Sequence, residues 1–104
     1  MLTFFKYYWQ GNQWPSVEID PLDQAGFFKV LAHLAATYGF AAPAVIDTID
    51  GYIADFWIAG VHATLQIDAW SFSFACADQP VRDMVFEHLQ SLPPDFFADG
   101  ETAE

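Results

Sequence analysis

The sequence predicts an α+β fold: a two-layer sandwich in which a four-stranded antiparallel meander is backed on one face by two helices. Three observations support this. Residues 44–76 alternate apolar and polar side chains with a period of two, as half-buried strands do. Two flanking segments, 21–38 and 79–92, repeat their apolar residues at helical spacing. At 104 residues the chain has room for one core, so residues 1–98 are read as a single domain and 99–104 as an acidic tail.

Residues 3–9 are aromatic and β-prone. Gly11-Asn12 and Trp14-Pro15 separate them from the alternating run Val17-Glu18-Ile19-Asp20, so one or two short strands are expected there. Asp20-Pro21 reads as a helix cap followed by proline at the first helical position, with Asp23 in the first turn to complement the dipole. Phe27, Val30, Leu31, Leu34, Ala35 and Tyr38 form that helix's apolar stripe, and Gly39 ends it. Asp78 caps the second helix, in which Val81, Met84, Val85, Leu89 and Leu92 form the stripe. Pro93-Pro94 stops it.

Within the meander, Asp50-Gly51, Ala59-Gly60 and Asp68-Ala69 are read as two-residue turns. They set Ile49 opposite Tyr52, Val45 opposite Phe56, Phe56 opposite Ala63 and Leu65 opposite Phe72. One face then comes out apolar, from Val45 and Ile49 through Ala54, Phe56 and Leu65 to Trp70, Phe72, Phe74 and Cys76, with Asp47 as the misfit. The other face carries Ile46, Thr48, Ile53, Asp55, Trp57, His62, Thr64, Gln66, Ser71, Ser73 and Ala75. Most of these are small or polar, and Ile46, Ile53 and Trp57 are the exceptions.

Charge narrows the partner. Fourteen Asp and Glu stand against three Lys and Arg, yet 54% of the residues are apolar, so this is a folded domain with a negative surface. Such a surface repels nucleic acid and anionic membranes and attracts basic partners. Caps and turns account for Asp20, Asp23, Asp50, Asp68 and Asp78. The remaining excess meets only Lys6, Lys29 and Arg82. One cysteine, Cys76, cannot form an internal disulfide, and the N-terminus lacks a charged region before an apolar stretch, so a reducing cytoplasm is expected. No apolar run approaches the roughly 18 residues of a membrane span.

No residue pattern points to catalysis or to a cofactor. His33, His62 and His88 fall on helix, sheet and helix without a paired-ligand spacing, so no metal is expected. Asp55, His62 and Thr64 could be drawn as acid, base and nucleophile. They sit on an open sheet face without an oxyanion donor, and cross-strand polar pairing is the better reading. Cys76 falls on the apolar face and reads as a packed thiol. The candidate binding residues are therefore Trp57, Asp55, His62, Ile53 and Ile46 on the second sheet face, with Asp83 and Glu87 on the second helix. The competing expectation is that the N-terminal aromatic segment folds over that face and covers Trp57.

Small size, strong acidity, exposed aromatic residues and the lack of a catalytic motif together resemble the immunity proteins of bacterial toxin systems, of the contact-dependent inhibition and polymorphic toxin types. The likeness is one of overall character, and no functional residue is carried over from it. It implies a non-enzymatic protein that binds a basic, nuclease-type toxin domain and covers its nucleic-acid surface with carboxylates. The alternatives are a small adaptor or structural domain, homodimeric through the Trp57 face, and, further behind, a small enzyme using Asp55 and His62.

Overall fold

The computed structural model describes residues 2–98, and the tail expected over 99–104 lies outside the described residues. The elements run β1 (Thr3–Tyr8), β2 (Pro15–Asp20), α1 (Gln24–Tyr38), β3 (Val45–Asp47), β4 (Tyr52–Ile58), β5 (Val61–Ile67), β6 (Phe72–Cys76) and α2 (Gln79–Ser91). They form one six-stranded antiparallel sheet in the order β1-β2-β6-β5-β4-β3, which corrects the four-stranded meander. The two-layer α+β character is as expected.

The N-terminal hairpin makes the difference. β1 pairs with β2 from Thr3↔Asp20 to Tyr8↔Pro15, and β2 pairs with β6 through Ser16↔Ala75, Val17↔Phe74 and Glu18↔Ser73. All five residues of β6 are buried, so without β2 it would present an apolar edge to water. Val17 and Ile19 join the core by extending the sheet in its own plane.

The β4–β5 hairpin has the expected register, with Phe56↔Ala63, Ala54↔Leu65 and Tyr52↔Ile67. Its turn places Ala59 and Gly60 at φ 52 and 77, as a two-residue type I′ turn requires. The other two turns are longer. Thr48 N donates to Gly51 O and Asp68 N to Ser71 O, both at 2.9 Å, so each loop spans four residues. The pairings move by two positions: Val45 faces Ala54, Tyr52 faces Asp47 rather than Ile49, and Leu65 faces Phe74. A shift of two leaves each strand residue on its expected face. Ile49 and Trp70, however, leave the apolar face and stand in the turns, 105% and 85% exposed, and Thr48 and Ser71, expected on the other face, stand in the same turns.

One long turn has a local cause and the other a contact across the sheet. Asp68 Oδ1 accepts from Trp70 N at 2.7 Å and Ser71 N at 2.8 Å, an Asx-type arrangement that holds the loop open at four residues. Gly51 serves a close approach, because a Cβ there would lie 1.7 Å from the Ile67 carbonyl oxygen. The two loops therefore lock together at one end of the sheet.

The helices cover one face. Asp23, not Asp20, caps α1, accepting from Gly26 N at 3.0 Å, because Asp20 still belongs to β2 and the helix begins only at Gln24. Gly39 closes α1 at φ 74, and Asp78 caps α2 as expected, accepting from Val81 N at 3.1 Å. Phe27, Val30, Leu31 and Leu34 of α1 and Val85 and Leu89 of α2 pack against the core face of the sheet. In α2 the expected stripe is corrected at two positions: Met84 is exposed and Arg82 is buried, at 3% exposure. The Arg82 guanidinium donates to Tyr7 O at 2.8 Å, Ser16 O at 3.0 Å and Asp83 Oδ1 at 2.7 Å, and it lies over the Tyr8 ring. It fastens α2 to the β1–β2 hairpin. Among the described residues, no helix is long and apolar enough to cross a membrane.

Candidate functional site

The sheet face turned away from the helices can be read row by row from the strand register. One row runs Phe5, Glu18, Ser73, Gln66, Ile53, Ile46, and the next runs Tyr7, Ser16, Ala75, Thr64, Asp55. Ser16, Ala75, Thr64 and Ser73 form a buried floor of small side chains between larger neighbours. Their polar groups are satisfied locally: Ser16 Oγ donates to Glu18 Oε2 at 3.0 Å and Thr64 Oγ1 to Ala54 O at 3.2 Å. Burial pushes the Glu18 carboxyl above its usual pKa, while hydrogen bonds from Ser16 and the Trp9 side chain pull it part of the way back.

The third row is aromatic. Trp57 and His62 are cross-strand partners with rings stacked at 5.2 Å and 27°. Trp14 meets His62 edge-on at 5.2 Å, and Trp9 stacks on Trp14 at 6.5 Å and 10°. The connection between β1 and β2 positions both indoles, since Trp9 N donates to Trp14 O at 2.9 Å and holds the two residues side by side. It is Trp14 of this connection that reaches His62; residues 3–8 pair as edge strand β1, and Trp57 stays 64% exposed.

Of the expected binding residues, Trp57, Asp55, His62, Ile53 and Ile46 share this outer face. Asp83 and Glu87 lie on α2, in the other layer. Asp83 is engaged there, with Arg82 Nε at 2.7 Å and Lys6 Nζ at 3.8 Å, whereas Glu87 is exposed. Trp9 and Trp14 were missed as members of the face. The available signal was the Gly11-Asn12 turn, which they flank and which brings them together.

All three basic side chains are engaged away from the outer face: Lys6 and Arg82 at Asp83, and Lys29 Nζ on the Phe97 carbonyl at 3.2 Å. The outer face therefore presents Asp55 and Glu18 with no Lys or Arg among them. Asp55, His62 and Thr64 do not form a relay. The Thr64 hydroxyl is committed to the Ala54 carbonyl, His62 lies against two indoles, and no hydrogen bond links the three among the described residues.

Two groups elsewhere could in principle carry chemistry. The helices bring His33 and His88 together with their Nε2 atoms 2.8 Å apart and ring planes 9° apart, and Thr37 Oγ1 lies 3.3 Å from His33 Nε2. One imidazole donates and the other accepts. Desolvation, and then the neighbouring His88, lower the His33 pKa. Among the described residues no group of three or more His, Cys, Asp or Glu side chains is disposed to hold a metal ion. Cys76 is buried, its thiol donates to Asp78 O at 3.2 Å, and burial raises its pKa, so it is a poor nucleophile. Comparison of the chain with family models, curated proteins and solved structures finds no match.

Proposed function

We propose that this domain is a non-enzymatic, acidic protein-binding module that docks a basic protein on the outer face of its sheet. The observation that carries the reading is the aromatic row ending in exposed Trp57, set beside Asp55 and free of Lys and Arg, on a chain of net charge −11. A large, rigid indole is one of the side chains enriched among interface anchors. The surrounding carboxylates draw in a cationic partner, and close charge pairs across such an interface contribute about 1.5 to 7 kcal/mol.

Neutralising a nuclease-type toxin domain is the role this chemistry fits best. A toxin surface built to hold phosphates is basic, and a carboxylate-bearing face competes for it. A single, buried thiol is compatible with the reducing cytoplasm where such a protein would act. Homodimerisation through the same face is the weaker reading, because it would bring two strongly acidic surfaces together.

The test is recovery of the tagged protein from its native cell at low salt. The proposal predicts a stoichiometric basic partner that high salt releases and that Trp57→Ala fails to retain. A homodimer with no partner, or a partner held equally well by Trp57→Ala, would sink it.

A further inference from the structure

The geometry points to one group of that partner. We propose that the surface beside Trp57 and Asp55 seats an arginine side chain, with its guanidinium stacked on the free face of the Trp57 indole and hydrogen-bonded to the Asp55 carboxylate. The inference rests on the basic-partner reading and narrows it from net charge to one functional group.

Asp55 and Trp57 are two positions apart in β4, so both side chains project from the outer face. His62 takes one face of the indole from the β5 side. On the other side, β3 ends at the pair Val45↔Ala54. Among the described residues no strand pairs with Asp55 or Trp57 on that side, and Trp57 is 64% exposed, so the indole face turned away from His62 is open. The Asp55 carboxylate has no ion pair or hydrogen bond among the described residues, so it is available to an incoming donor.

An open aromatic face next to an uncommitted carboxylate suits guanidinium better than ammonium. Guanidinium is planar, weakly hydrated and able to stack, and its paired N–H groups match both carboxylate oxygens. Lysine brings the same charge as a strongly hydrated point and gains little from the ring plane. His62 packed behind Trp57 holds the indole in place, so little side-chain freedom is lost on binding.

The experiment titrates the protein with end-blocked hexa-arginine and hexa-lysine peptides at the same low salt, following the indole N–H resonances by NMR. Trp70, exposed in the turn at the opposite end of the strands, serves as an internal control. The expected result is that the arginine peptide binds about fivefold tighter or more and moves the Trp57 signal ahead of the Trp70 signal. Trp57→Leu and Asp55→Asn, each confirmed as folded, should both bring the arginine peptide to the lysine level. Equal affinity for the two peptides, or an arginine preference that survives Trp57→Leu, overturns the arginine seat and leaves the basic-partner reading intact. Failure of both peptides to bind overturns the two together.

Discussion

Replacing Gly51 by alanine should be among the most damaging single-methyl changes in this protein. The added Cβ would lie 1.7 Å from the Ile67 carbonyl oxygen, 2.6 Å from its carbon and 2.9 Å from Asp68 Cα, all of them backbone atoms. Relief to an ordinary contact near 3.4 Å requires one loop to retreat by about 1.7 Å. That movement strains the Thr48–Gly51 hydrogen bond and the Asp47↔Tyr52 pair, the two contacts that close the turn between β3 and β4. Overpacking against backbone costs up to about 3 kcal/mol, and a weakened hydrogen bond adds up to about 1 kcal/mol. A loss of about 3 kcal/mol is therefore expected. Gly60→Ala is the control. At Gly60 φ is +77 and nothing lies within 4 Å, so only the left-handed backbone is penalised, by about 1 kcal/mol. Urea denaturation followed by far-UV circular dichroism measures both. A loss below about 1 kcal/mol for Gly51→Ala, or one smaller than that for Gly60→Ala, would refute the loop-against-loop packing.

Two further outcomes follow from the helix layer. Arg82→Ala removes a buried guanidinium and strands the Tyr7 and Ser16 carbonyls, so it should cost about 3 kcal/mol in the same assay, whereas Lys6→Ala, which removes a half-exposed pair with Asp83 and a cation–π contact with Phe86, should cost about 1 kcal/mol. The His33 pKa is lowered in the folded state, so the unfolded chain takes up the proton first as pH falls. Its contribution to stability is complete above about pH 6.5 and is lost as the pH drops below that value. Denaturation midpoints between pH 7.5 and 5 should show that loss, and His33→Gln should flatten it. A pH dependence of the midpoint over this range that is the same in wild type and His33→Gln would contradict the pairing of the two imidazoles.

What the sequence revealed of this molecule follows from the range of the forces involved. The Asp78 cap, the Gly39 terminator and the Ala59-Gly60 turn are local, and each formed where its residues stand. Alternation at a period of two assigned Asp55, Trp57 and His62 to one face correctly. The same periodicity cannot detect a slip of two residues, so the longer turns at 48–51 and 68–71 were invisible to it. Asp50-Gly51 has the composition of a tight hairpin turn, but its glycine answers to the Ile67 backbone across the sheet, a contact no local window contains. The hairpin's place beside β6 is equally non-local, and with it came Trp9 and Trp14. His33 and His88 lie 55 positions apart and meet only because the two helices pack on the same sheet face.

The central claim is that a basic partner is drawn to this domain by charge and held on the face around Trp57. Association kinetics with the recovered partner, measured from about 50 to 500 mM salt, test it most directly. The on-rate should fall by about tenfold or more across that range, and Trp57→Ala should leave the on-rate nearly unchanged while speeding dissociation about thirtyfold. An on-rate indifferent to salt, or a Trp57→Ala complex as long-lived as the wild type, would contradict it.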